Sequence, residues 1–281
     1  MSESPSSQHR SFIPGSEEEL MRSRTPDDEE VIASFLARVP KTAPLIPMSL
    51  PEGAPPSDEA ITDRQKFWIR VADTKERREQ AGLLVDRMYA WRGYTHENIL
   101  RETPHTITLV SYGRDGRVIG TVSIGMDAPG DPLLAEEGYP EEIAKLRAQG
   151  KKVAEFNGLA VDSEIRSKLV IARLFHIAML YPYGLFGYTD CIIEVTPAHA
   201  RFYERMLEFD RLGKERICPR VNATGVLMHK NFVDAAEKLK KVGGLLESGD
   251  HTLYSYGFSS DEAQGILGHL RRMQSEPEMA S

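Results

Sequence analysis

An α/β architecture is what this sequence predicts, and two features carry the prediction. Residues 153–161 and 191–195 are short apolar, β-branched runs of strand length. Between them, residues 168–180 place Leu169, Ala172, Leu174, Phe175, Ala178 and Met179 near helical spacing. Pro197 then opens a second helix that sets Phe202, Met206 and Phe209 on one face, with Tyr203 alongside. A strand–helix–strand–helix order defaults to a parallel pair joined by a helical crossover. The second feature is an antiparallel hairpin, strands 106–112 and 117–126 around Gly113-Arg114-Asp115-Gly116, whose Asp-Gly marks the turn.

The remaining elements follow in order. Residues 1–63 read as an acidic, Pro-rich tail, with nine of the 17 prolines in the first 56 positions. Its exception, residues 31–39 (VIASFLARV), has the spacing of two turns of amphipathic helix. The folded body, residues 64–230, begins with a strand at 67–72, and Thr74 caps a helix running to Trp91. Residues 127–137 are a loop, and a short helix at 140–149 stops at Gly150. Strands are expected at 211–217 and 223–229. A C-terminal helical extension, 231–281, holds an amphipathic helix to Val242 and a last helix behind the capping box Ser259-Ser260-Asp261-Glu262.

Composition narrows the function. Of the net charge of −7, most sits in the first 60 residues, where eleven acidic face five basic residues. The near-neutral body gives no footprint for nucleic acid. Two cysteines, Cys191 and Cys218, make no disulfide framework and fit a reducing compartment. No secretory signal and no apolar run of about 20 residues is evident, so a cytoplasmic protein with at most peripheral membrane contact is expected. Walker, Rossmann, HExxH, paired CxxC and GxSxG patterns are missing, and no metal site is expected.

Glu155, one carboxylate in an apolar strand, is the leading candidate for chemistry. Desolvation there raises its pKa and suits a general base; the alternative is an ion pair with Arg87 that ties sheet to helix. Gly158 marks a bulge or a close approach by ligand, with tight helix–sheet packing as the competing reading. Arg87 and Trp91, near Arg92 at the end of the first helix, can hold a carboxylate or stack on a surface aromatic. His199 and Tyr203 share a helix face, with packing as the competing role. Six basic residues within 201–220 form either a solvated face or a docking patch for an acidic partner.

With these residues in view, the chain resembles the N-acyl amino acid synthases of the GNAT acyltransferase superfamily, relatives of the autoinducer synthases. The resemblance rests on FWIRVADTKERREQA, DGRVIGTVSIGMD, VAEFNGLAV and TPAHARFYERMLEFDRLGKERICPRVNATGVLM, and spans about 66–229. It implies a GNAT-like mixed sheet that splays beside strand 153–161, with an acyl-thioester arm in the opening. An amino acid amine would attack the thioester, with Glu155 as the base. Asn157, Gly158 and Leu159 would offer backbone N–H groups, Arg87 would take the substrate carboxylate, and Trp91, Tyr203 and Asn222 would line the site. No bound cofactor is implied. Acetyl-CoA users carry a Gly-rich pyrophosphate loop after this strand, whereas residues 162–168 contain no glycine. That favours an acyl carrier protein phosphopantetheine donor over acyl-CoA. A non-catalytic binder of carrier protein or lipid amine is the other reading. Leu174, Phe175, Leu180 and Phe186 are either an acyl tunnel or core. The family's usual Arg and Gly are replaced here by Ala198 and Glu208.

Overall fold

The computed structural model describes residues 31–40, 62–94, 100–165, 167–246 and 248–275. A mixed sheet of nine strands forms its middle. The strands are β1 (Val31–Pro40), β2 (Thr62–Val71), β3 (Thr106–Tyr112), β4 (Val118–Met126), β5 (Val153–Val161), β6 (Asp190–Val195), β7 (Asp210–Arg211), β8 (Arg216–Cys218) and β9 (Ala223–Asn231). Their spatial order is β1-β2-β3-β4-β5-β6-β9-β7, with β8 on the free half of β9's edge. β5 and β6 are parallel and the other pairings antiparallel.

The helices are α1 (Lys75–Trp91), α2 (Pro140–Ala148), α3 (Lys168–Met179), α4 (Pro197–Leu207), α5 (Phe232–Val242) and α6 (Ser260–Ser275). Thr74 caps α1 through its side-chain oxygen, and Ser259 and Glu262 form the reciprocal box at the start of α6. α3 runs into a π-type turn at Leu180–Leu185. Residues 31–40 form a strand, not the short helix that their apolar spacing predicts. A ten-residue helix is marginal alone, whereas pairing with β2 along nearly its full length supplies the ladder. The other expectations for residues 1–63 lie outside the described residues.

One face of the sheet carries the main core. Ala154 and Phe156 of β5 pack there with α3, α4 and the C-terminal segments, through Phe175, Tyr203, Phe232, Phe258 and Leu270. The C-terminal extension thus shares the core of the body. Leu174, Phe175 and Leu180 are buried in it, while Phe186 is exposed. On the opposite face, Val153 packs with α2 and a 3₁₀ turn at Leu134–Glu137, around Leu133, Ala135, Tyr139 and Ile192. Alternation along β5 puts Glu155 on this second face.

Glu208 ends α4 in the left-handed region, φ +56° and ψ +39°, a conformation that glycine adopts more readily. Lys238 at 3.0 Å and Lys230 at 3.6 Å hold its carboxylate. These pairs, worth up to about 1 kcal/mol each, offset a left-handed cost of about 1–2 kcal/mol.

The start of β6 is fastened by Asp190, fully buried, which accepts from Lys151 at 3.0 Å and pairs with His229 Nε2 at 2.7 Å. Replacing Asp190 by Ala strands both partners. Chemical denaturation should show a loss of about 3 kcal/mol or more; an unchanged midpoint would assign the network no structural role.

Candidate active site

β5 and β6 are paired only from Val153 to Glu155 and from Asp190 to Ile192, although both strands continue beyond. The sheet therefore opens just past Glu155. On its other side β5 carries a bulge: Thr121 pairs Ala160 and Ser123 pairs Asn157, so Val122 alone faces Gly158 and Leu159. Gly158 sits at φ +57°, a conformation that a side chain resists. The glycine in the strand thus has the bulge reading, and the backbone there leaves the regular β4 ladder.

Glu155 is 2 % exposed. Its Oε2 accepts from the backbone N–H of Ala135 at 3.2 Å, in the 3₁₀ turn. Burial pushes its pKa up to about 7, against the backbone N–H bonds of Ala135 and Leu134 and the charge of Arg220, which lower it. A carboxyl group half ionised at neutrality is matched to proton abstraction. The turn that presents Ala135 is held from both sides: Glu136 takes Arg147 Nη1 at 2.9 Å, and Glu137 takes Arg220 Nη1 at 2.9 Å.

Glu155 and Asn157, two apart on β5, line one cavity of about 20 Å³ with Arg101, Thr106, Gly125 and Leu134. That is room for about one water molecule. Asn157 Oδ1 is buried without a hydrogen-bond partner among the described residues, so it is an acceptor left open toward this space. Arg101 and Thr106 also line a larger cleft of about 700 Å³ between α1 and residues 100–108, with Arg78, Glu79, Gly82 and Glu102. Its size is that of a small-molecule site. The Arg101 guanidinium donates to Pro132 O at 2.9 Å and lies 3.4 Å from Asp131 Oδ1.

The other sequence candidates fall in different places. Arg87 binds Asp162 Oδ2 at 2.8 Å, just beyond the far end of β5, and not Glu155. Seven residues of extended chain put the two carboxylates roughly 20 Å apart. Trp91 is 48 % exposed, with the Arg92 guanidinium 5.6 Å from its ring centroid. Tyr203 is buried among Phe175, Phe202 and Phe209, at 5.4–6.2 Å between ring centroids. Burial, and next the neighbouring Tyr89, push its phenol far above the usual range. Leu159 packs against the main core. Asn222 is exposed at φ +47° in the turn between β8 and β9. His199 bonds Thr196 at the start of α4. Of the late basic residues, Arg211 pairs with Glu204, Arg216 with Glu142, and Arg220 with Glu137 and Glu194; Arg201, Arg205 and Lys214 are exposed.

Residues 162–165 fold on Asp162, whose Oδ1 accepts from the N–H of Glu164 at 3.0 Å and whose backbone carbonyl accepts from the N–H of Ile165 at 2.9 Å. Both carboxylates of this segment are paired, Asp162 with Arg87 at 2.8 Å and Glu164 with Arg117 at 3.1 Å. Arg101 at the two cavities and the inward contacts of Arg220 carry no signal in the sequence, because neither residue lies in a periodic segment.

A family model described as N-acyl amino acid synthase FeeM matches residues 80–231, more than half of the chain. No curated protein matches it in sequence. Among solved structures, FeeM, an N-acyl amino acid synthase from uncultured soil microbes, is 24% identical with a TM-score of 0.56, covering 62% of this chain and 94% of that one. An acyl-CoA N-acyltransferase from Pseudomonas aeruginosa is 14% identical with a TM-score of 0.43, covering 58% and 99%. Escherichia coli ElaA is 8% identical with a TM-score of 0.44, also covering 58% and 99%.

The buried carboxylate has a measurable stability signature. Its pKa is raised in the folded state, so the unfolded chain holds fewer protons between about pH 4.5 and 7 and stability falls with rising pH across that window. Glu155→Gln should match the parent near pH 4 and exceed it by about 3 kcal/mol above pH 8, at about 1.4 kcal/mol per pKa unit. Parallel stability curves at all pH values would mean that Glu155 is not desolvated.

Proposed function

The chain belongs to the FeeM family of N-acyl amino acid synthases, and on that premise we propose that it moves a long-chain acyl group from an acyl carrier protein thioester to the amine of an amino acid. The observation that carries the reading is a buried carboxylate with a near-neutral pKa at the point where β5 and β6 part. The thioester arm enters the opening between the two strands. The amino acid enters from the cleft beside α1 and meets the thioester at Glu155.

Each step has a residue on hand. The amino acid arrives as an ammonium ion, and Glu155 takes one of its protons, directly or through the single water that its cavity admits. The freed amine forms the N–C bond to the thioester carbonyl, and backbone N–H groups at the Gly158 bulge meet the oxyanion. The C–S bond then breaks, the attacking nitrogen gives up its remaining extra proton to the leaving phosphopantetheine thiolate, and Glu155 returns the proton it took to solvent. Arg101, at the junction of cavity and cleft, takes the substrate carboxylate, the role that sequence reading gave to Arg87. A carrier-protein donor is favoured because residues 162–168 contain no glycine to bring backbone N–H groups close to a coenzyme A pyrophosphate. The exposed Arg201, Arg205 and Lys214 offer an acidic carrier protein a basic face.

Purified protein incubated with acyl carrier protein bearing a chain of roughly 12–18 carbons and a mixture of amino acids should release N-acyl amino acids detectable by mass spectrometry. The matching acyl-CoA should turn over at least about tenfold more slowly; equal rates would remove the carrier-protein preference. Binding with no product would favour the non-catalytic reading. Arg101→Ala should raise KM for the amino acid by about 10–100-fold, the worth of a charge-assisted hydrogen bond. Arg87→Ala should leave that KM unchanged. The reverse pattern would restore the carboxylate role to Arg87.

A further inference from the structure

The peptide group between Leu134 and Ala135 is held at both ends. Its N–H points to Glu155 Oε2 at 3.2 Å, and its C=O accepts from Arg220 Nη1 at 2.5 Å. The same guanidinium gives Nη2 to Glu194 Oε2 at 2.5 Å and Nη1 to Glu137 Oε2 at 2.9 Å. A peptide is one planar, resonance-coupled unit. A cationic donor on its oxygen strengthens its N–H as a donor, and fixes the plane in which that N–H points.

We infer that Arg220 is a positioning residue for Glu155, acting through the Leu134–Ala135 peptide and not by direct contact. Its relevance to turnover rests on the base role proposed for Glu155. The arrangement has a chemical logic. A guanidinium paired directly with Glu155 would lower the carboxyl pKa by about 1–3 units and make it a poor base. Here the guanidinium makes its contacts with Glu194 and Glu137, so Glu155 feels its charge across the intervening peptide and not in an ion pair. Glu194 is itself fixed: a Cβ added at Gly225 would lie 2.6 Å from its Oε1, so the carboxylate lies flat over a residue without a side chain. The turn at 219–222 between paired Cys218 and Ala223, with Asn222 in the left-handed region, carries Arg220 toward these partners. That gives the structural use of Asn222.

The charged and titratable groups around Glu155 come from every element packed on it. β6 brings Glu194 and Cys191, the 3₁₀ turn brings Glu136 and Glu137, and the β8–β9 turn brings Arg220. Arg101 and Asp131 lie across the small cavity. Facing β4 contributes Gly125 and Ser123, which do not titrate.

The experiment is a carboxyl carbon NMR titration of Glu155 in the full chain, with the Ala135 amide signal followed in the same samples. In the parent, the Ala135 amide should shift with the Glu155 titration. Arg220→Met leaves Glu194 buried without its partner and risks unfolding, so it is made in the Glu194→Gln background. Glu194→Gln alone should lower the Glu155 midpoint, because a nearby like charge is gone. The double variant should titrate about one pH unit or more above Glu194→Gln, and its Ala135 amide should respond to the titration less than half as strongly. Identical midpoints and identical amide responses in the single and double variants would overturn the inference. The readout needs no substrate. If these shifts appear but Glu155→Gln keeps full acyl transfer, Arg220 still positions Glu155 and the base role is what fails.

Discussion

The interruption of the β5–β6 ladder is the constraint from which the site follows. Three residue pairs join these strands, and then each continues with only its other neighbour, β4 for one and β9 for the other. A sheet that opens in its interior leaves two inner edges without a ladder. Such an opening persists only where the flanking layers hold the strands apart. On the main-core face this is done by Phe156, Phe175, Tyr203 and Phe232, whose rings pack edge to face or tilted at about 6 Å between centroids. On the other face the 3₁₀ turn and α2 close over Val153 and Ile192. Glu155 is the last residue of the paired stretch, so its backbone is fixed by both neighbours while its side chain stands at the mouth of the opening.

Holding a carboxylate there costs stability. Burial costs free energy once the group ionises, and the single N–H of Ala135 offsets part of that cost. A direct ion pair would offset more but would take the group out of the range in which it can accept a proton at neutral pH. The fold instead places its cation on the far side of a peptide bond. A similar compromise runs along β5, where the bulge gives up regular pairing with β4 at Gly158 and Leu159, next to the carboxylate.

Much of the fold was legible in the sequence because local and tertiary preferences agree. The α1 cap at Thr74, the Asp-Gly hairpin, the apolar strand at 153–161 and the Pro197 helix start all appear where pattern and turn chemistry put them. Glu155 stood out because a lone charge in an apolar strand is rare, and Gly158 because a glycine weakens such a strand. What was not legible depends on partners distant in sequence. The 31–40 segment is a strand only because β2 lies beside it. Arg87 was a plausible partner of Glu155 from helix position alone, but the register of α1 over the sheet carries it to Asp162. Arg101 and Arg220 sit in irregular segments, where no periodicity says which way a side chain points. Arg220 in particular read as one more member of a basic surface cluster.

The fit of Glu194 against Gly225 reaches beyond this one chain. The two residues lie on neighbouring strands, and the space that one lacks is the space that the other fills. Any side chain at 225 pushes the Glu194 carboxylate aside, and with it changes how the guanidinium of Arg220 is anchored. In a set of homologous sequences these three positions are therefore expected to change as a group. Their joint variation would separate relatives that share this way of supporting the carboxylate from those that have found another.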